Sequence, residues 1–256
     1  MILVKGLWKS FGDKNVLKGI DLHIPRGETL VIMGPSGCGK SVLLRLLTGL
    51  LKPDQGEIWF DGQEISNLSK RELIPIRQRI GMLFQSAALF DFMTVEENVG
   101  FTLQQHHGWK DIHQIAKEKL ELVDLHNVEQ LKPAEISGGM RKRVGLARAI
   151  AADPEVIFYD EPTTGLDPVT CDEINQLMSD LHDKLSVTSV IVTHDMDSAF
   201  FVATRMAMLY QGKVVAEGTP QEIMNNDNPV VRQFIYSGSR KMLATQQKGN
   251  INRVES

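Results

Sequence analysis

The sequence predicts an α/β fold built on a mainly parallel sheet, and three observations predict it. Short apolar runs rich in β-branched residues ("TLVIMG" ending at Gly34, "RIGMLFQ" ending at Gln85, "EVIFYDEP" and "SVIVTHD") read as buried strands. The segments between them suit crossover helices. The N-terminal runs "ILVKGLWKSF", "GIDLHIP" and "GEIWFDG" are short and turn-bounded, closer to antiparallel strands.

The chain of 256 residues is long enough for one large domain or two small ones, and 42% hydrophobic content suits a globular core. A net charge of −4 argues against bulk electrostatic binding to nucleic acid. Cys38 and Cys171 have neither metal-ligand spacing nor the numbers for a disulfide framework, which points to a reduced, cytoplasmic setting. The opening "MILVKGLWKSFG" lacks the features of a secretory signal. No run reaches the ~18 to 20 apolar residues that span a bilayer. The nearest, "AFFVATRMAMLY", is short and broken by Arg205, so work at a membrane would go through a partner.

In chain order, the antiparallel runs come first, interrupted by the strand that ends at Gly34. "VLLRLLTGL" then reads as a helix. From residue 86 to 155 the composition is helical. "DIHQIAKEKLELVDL" places Ile112, Ile115, Leu120, Leu122 and Leu125 among charges, so this stretch reads as a helical subdomain inserted in the sheet core. The core is expected over 1–85 and 156–237, with a polar tail over 238–256 that is either disordered or an arm needing a partner surface.

"GPSGCGKS" fits the phosphate-loop pattern in full, between a strand and a helix. Glycines let backbone N–H groups turn inward around phosphates, and the helix start adds unpaired donors. Gly34, Pro35, Ser36, Gly37, Cys38, Gly39, Lys40, Ser41 and Val42 are therefore the expected phosphate cradle. Lys40 would reach the β- and γ-phosphates, Ser41 would ligate Mg²⁺, and Cys38 is a small filler. An ordinary glycine-rich turn is the plain alternative, and pattern with context weighs against it.

"VIFYDEP" delivers Asp160 and Glu161 to a strand end. Asp160 would hold Mg²⁺ through water, and Glu161 would orient or deprotonate the attacking water; a charged strand end is the alternative. His194 closes another strand, where open α/β sheets place ligands, so it reads as a γ-phosphate contact or as an exposed structural histidine. Gln85 reads as a ligand of Mg²⁺ or the attacking water, or as a polar cap. Together these elements describe a P-loop nucleoside triphosphatase with a RecA-like core.

"ISGGM" (Ile136-Ser137-Gly138-Gly139-Met140) precedes "RKRVGLARAI", and "DEPTTGLD" ends in Gly165-Leu166-Asp167. With these, residues 2–235 closely resemble the ATP-binding-cassette ATPases, whose signature motif, D-loop and switch histidine (His194) fall here in order. The resemblance implies an ATPase domain over 1–237 that uses ATP and Mg²⁺ and a homodimer with two composite sites. Each ATP would lie between one copy's phosphate loop and Ser137, Gly138 and Gly139 of the other, with Asp167 nearby. It implies adenine stacking on Phe11, where many relatives have Tyr; a core phenylalanine is the alternative.

Along the signature helix, Met140, Val144, Ala147 and Ala151 form an apolar face. Arg141 and Arg148 lie seven apart on another, and Lys142 is expected on a solvated charged face. "SAALFDFMTVEENV" with "SGGMRKRVGLARA" looks like the ATPases of Mla-like, MCE-type phospholipid transport systems. That likeness implies a peripheral subunit on the cytoplasmic side of the inner membrane, powering phospholipid transport and lipid asymmetry. Its partners would be membrane permease subunits, an MCE-domain protein and a small STAS-domain protein. Other importers or exporters, and soluble cassettes such as Fe–S assembly factors, are the alternatives. Leu89, Phe90, Phe92 and Met93 either line a groove for a permease helix or pack the helical subdomain's own core. Met140 lacks the amide of the usual Gln, and a thioether accepts hydrogen bonds only weakly.

Overall fold

The computed structural model describes residues 1–103 and 109–238; past Gly238, the expected polar tail lies outside the described residues. The first half contains β1 (Ile2–Phe11), β2 (Lys14–Ile24), β3 (Thr29–Met33), α1 (Lys40–Leu47), β4 (Gln55–Phe60), β5 (Gln63–Glu64), α2 (Ile74–Gln78), β6 (Ile80–Leu83), α3 (Val95–Gly100) and α4 (Trp109–Leu122). The second half contains α5 (Gly138–Ala149), β7 (Val156–Asp160), α6 (Pro168–Leu185), β8 (Thr188–Thr193), α7 (Met196–Val202), β9 (Arg205–Tyr210), β10 (Lys213–Gly218), α8 (Pro220–Met224) and α9 (Pro229–Gly238).

The fold is the expected α/β class. A four-stranded antiparallel sheet runs β2-β1-β4-β5, and a six-stranded sheet runs β10-β9-β3-β8-β7-β6. The latter is parallel from β9 to β6, with β10 antiparallel at its edge.

Its strands read as continuous apolar runs because both faces are covered. Successive side chains alternate between faces. Val31, Met33, Ile157, Tyr159 and Ile191 join the core shared with α3 to α9. Leu30, Ile32, Phe158, Val190 and Val192 join the core shared with α1 and the antiparallel sheet. Each fully buried aliphatic or aromatic residue of this kind contributes about 1.5–3 kcal/mol.

Several helices begin where the sequence supplies a cap. Thr94 and Glu97 form a capping box at α3, as do Thr219 and Glu222 at α8. Ser137, Asp167 and Asp195 cap α5, α6 and α7.

The parallel register aligns the ends that matter. Met33 pairs with Thr193, Val192 with Asp160, and Tyr159 with Leu83. The chain therefore leaves β3, β8, β7 and β6 side by side, at Gly34, His194, Glu161 and the segment containing Gln85. One detail differs from the sequence reading: the β6 strand stops at Leu83, leaving Gln85 two residues beyond it. The run "AFFVATRMAMLY", expected to be broken by Arg205, is divided between α7 and β9, and no helix among the described residues is long and apolar enough to cross a membrane.

Candidate functional site

The loop from Gly34 to Ser41 folds tightly against its neighbours. A Cβ on Gly34 would sit 2.2 Å from the Leu209 carbonyl oxygen and 2.9 Å from Cys38 Sγ. Gly39, at φ +113, has Leu17 Cδ2 2.8 Å from where its Cβ would stand. Both positions demand glycine. Cys38 is buried in the hydrophobic core beneath the loop, and burial pushes its thiol above the ordinary value, the opposite of what activates a nucleophile.

Gly39 begins α1 without a side-chain cap, so the first N–H groups of the helix remain for an anion. Lys40 is buried. Its Nζ donates to the carbonyls of Gly34 (2.8 Å) and Pro35 (3.3 Å) and lies 3.7 Å from Glu161 Oε1. Ser41 Oγ donates to Asp160 Oδ1 at 3.1 Å. Burial pushes the Asp160 carboxyl above its ordinary value, and the Ser41 hydroxyl opposes that.

Glu161 is 9% exposed and sits at φ +50, a strained setting for a non-glycine residue. Its N–H donates to the Val192 carbonyl at 2.9 Å, which locks the strand end. His194 holds its carboxylate, with Nδ1 2.8 Å and the backbone N–H 3.3 Å from Oε2. The turn carrying His194 is fixed by Asp195, which caps α7 and accepts from Ser198 Oγ (2.6 Å) and Thr163 Oγ1 (3.4 Å).

Lys40, Glu161 and His194 are thus joined by direct contacts, and Ser41 and Asp160, their chain neighbours, by another. Gln85 is exposed beside them, its carbonyl held by Lys142. Phe11 closes β1 with its ring half exposed and Lys9 Nζ 5.6 Å from the ring centroid, so the core alternative does not hold.

Ser137 to Gly139 open onto a different cleft of about 370 Å³, lined also by Met140, Arg143, Leu166 and Asp167. Ser137 Oγ accepts from the Met140 N–H at 3.2 Å, and a Cβ on Gly139 would press on Thr170 Cγ2 at 2.8 Å. Asp167 accepts from the N–H groups of Val169 and Thr170 and from Thr170 Oγ1 at 2.6 Å. Met140 is half buried against the helical core.

One expectation about α5 is corrected. Lys142 is not on a solvated face: it is buried and bonds the carbonyls of Gln85 and Glu161. Arg148, seven residues after the exposed Arg141, is buried on the carbonyls of Ala87 and Ala88. The expected aromatic loop splits. Leu89 packs against the helical core, Phe90 lies 4.6 Å from Phe101 between ring centroids, and Phe92 is 74% exposed.

The ABC transporter family model matches residues 17–164. The chain is 46% identical over 236 residues to the probable ribonucleotide transport ATP-binding protein mkl of Mycobacterium leprae, covering 91% of this chain and 68% of that protein. It is 43% identical over 241 residues to the intermembrane phospholipid transport system ATP-binding protein MlaF of Haemophilus influenzae, covering 93% and 91%. Among solved structures, a dimeric ATP-binding cassette in a post-hydrolysis state with ADP and Pi superposes with a TM-score of 0.79 at 35% identity, over 86% of this chain and 99% of that one.

Proposed function

The chain belongs to the ABC transporter family as an ATPase coupled to transport, and we propose that it powers phospholipid movement between the inner and outer membranes of a Gram-negative envelope. The near end-to-end match to a phospholipid-system ATPase carries this reading, since it spans nine-tenths of both proteins. The mycobacterial relatives are named for ribonucleotide transport, and this chain spans about two-thirds of their length. That makes a nucleotide cargo the second reading.

Cassettes of this family bind ATP and work as dimers with permease partners. In the proposed mechanism Lys40 exchanges its loop carbonyls for phosphate oxygens. The uncapped start of α1 faces the same charge. Ser41 and Asp160 supply hard oxygen donors of the kind Mg²⁺ prefers, with Gln85 as a third ligand. Bound there, Mg²⁺ would neutralise charge developing on the phosphates. Glu161 takes the proton of the attacking water, and His194 keeps that carboxylate aimed and contacts the γ-phosphate. Phe11 stacks on adenine. A second copy supplies Ser137, Gly138, Gly139 and Asp167 to complete the site.

Residues 86–155 act as the helical insertion in a core of 1–85 and 156–237. The apolar groove of about 760 Å³ lined by Ile74, Met82, Phe84 and Phe101, with exposed Phe92 on the same loop system, is assigned to a cytoplasmic helix of the permease. An MCE-domain protein beyond the inner membrane and a small STAS-domain protein on the cytoplasmic side complete the complex.

The test is to isolate the native complex from detergent-solubilised membranes and identify its proteins and bound small molecules by mass spectrometry. Co-purified permease, MCE protein and phospholipid are expected. A ribonucleotide cargo, or soluble partners alone, would overturn the reading.

A further inference from the structure

Two buried cations on α5 stand outside the nucleotide chemistry above. Lys142 is 5% exposed and Arg148 8%. Arg148 donates to the carbonyls of Ala87 at 2.5 Å and Ala88 at 2.8 Å. Ala87 and Ala88 have φ of 60° and 48°. Consecutive left-handed residues that are not glycine persist only where the surroundings hold them. Gly145, between the two cations, lets the helix approach closely: a Cβ there would meet Leu83 Cδ1 at 2.7 Å and Ala87 Cβ at 3.1 Å. Helix α5 therefore grips the turn after β6 rather than merely resting on it.

Lys142 reaches one step further. Its Nζ donates to the Gln85 carbonyl and, at 3.4 Å, to the Glu161 carbonyl. One ammonium thus joins the signature helix, the Gln85 turn and the end of β7. Burial pushes its pKa down, opposed by Asp160, Cys171 and Glu161. Burying a charge is costly unless it is hydrogen-bonded, so the two carbonyls are what retain it here.

We propose that Lys142 is a positioning residue that ties the Ser137–Gly139 helix, which serves the partner's ATP, to Gln85 and Glu161, which serve its own, so that the two sites act together. The inference rests on the composite-site reading. A 12-residue helix moves as a rod, so arrival of the partner's nucleotide at its N-terminus is transmitted to both carbonyls.

The test uses the full chain and compares wild type with Lys142→Met and Lys142→Arg. ATP affinity, kcat, KM and the Hill coefficient for ATP are measured. Wild type is expected to respond sigmoidally to ATP. The Met variant is expected to keep ATP affinity within about threefold, to lose about tenfold in kcat and to show a Hill coefficient near 1. The Arg variant is expected to recover much of both, because it keeps the charge and the donors. A Met variant with the wild-type Hill coefficient overturns the proposal, as does a parallel fall in affinity and kcat with cooperativity intact. If the Met variant fails to fold, Lys142→Gln, whose amide can still satisfy one carbonyl, must show the reduced Hill coefficient; an undiminished one overturns the proposal. A hyperbolic wild type overturns it too, while ATP-driven dimerisation would still support the composite site. Wild type without that dimerisation sinks the underlying reading instead.

Discussion

Replacing Glu161 with Gln removes a charge while keeping the shape of the site. The amide oxygen can still accept from the His194 N–H and Nδ1, which lie 3.3 and 2.8 Å from Oε2. Lys40 loses a carboxylate 3.7 Å away but keeps the carbonyls of Gly34 and Pro35. The loop that cradles phosphate is therefore expected to stay formed. What disappears is the proton acceptor. A positioned general base contributes typically about 10²- to 10⁴-fold, or about 2.7–5.4 kcal/mol of barrier. The assay is phosphate release at saturating ATP, beside equilibrium ATP binding and size-exclusion chromatography with ATP. Turnover should fall by about two to four orders of magnitude with binding held and an ATP-bound dimer accumulating. Turnover within a few-fold of wild type would falsify Glu161 as the base. Loss of ATP binding would instead show that its main role is to hold the loop.

Three further expectations follow from the same geometry. Met140→Gln restores an amide beside Ser137, and turnover should change by no more than about threefold, since in the proposed composite site Ser137 and Gly139 carry the phosphate contacts and both remain; a variant with no measurable ATPase would show the signature reading to be incomplete. Phe92→Asp should leave ATPase activity and thermal stability near wild type while abolishing transport in reconstituted complex, because the ring is 74% exposed; a lost thermal transition would return Phe92 to the core. Glu155, paired with Arg79 and Arg26, has its pKa lowered from 4.5 to about 2. That gap is worth at most about 3.4 kcal/mol, and solvent screening at a carboxylate 34% exposed reduces it to roughly 1 kcal/mol. The support is fully present above pH 4.5 and is lost as pH falls toward 2. Wild type should therefore be more stable than Glu155→Gln at pH 7, with the difference in melting temperature closing in acid; parallel curves would contradict the pairing.

The clustering of Lys40, Ser41, Asp160, Glu161 and His194 was legible because its signals are local. A phosphate loop needs glycines at fixed offsets, and "VIFYDEP" announces both a buried strand and the carboxylates at its end. The alternation of core strands between two hydrophobic clusters follows from the same apolar runs. Lys142 and Arg148 were not legible, because a helical wheel assigns charges to solvent. The burial of Arg148 depends on the turn at Ala87 and Ala88, some sixty residues earlier in the chain, and that of Lys142 on the carbonyls of Gln85 and Glu161. Close packing at Gly145 was a readable hint, since a glycine inside a helix often marks a close approach. The left-handed backbone of Glu161 left no trace in the sequence; the bonds from its N–H to Val192 and from Lys142 to its carbonyl show how it is held. The strand β9 was hidden because α7 and β9 share one apolar run, divided by the turn before Arg205.

The composite site is tested most directly by complementation between two inactive chains. Lys40→Ala disables the phosphate loop, and Ser137→Arg blocks the signature turn. Each variant alone should be inactive. Mixed, they form dimers in which the intact loop of one chain faces the intact signature turn of the other, so ATP hydrolysis should reappear at a fraction of the wild-type rate. Placing both substitutions on one chain, paired with a wild-type partner, should leave no intact site and no activity. The reverse pattern, with activity in the doubly substituted pairing and none on mixing, would place Lys40 and Ser137 at the same ATP within one chain and contradict the account.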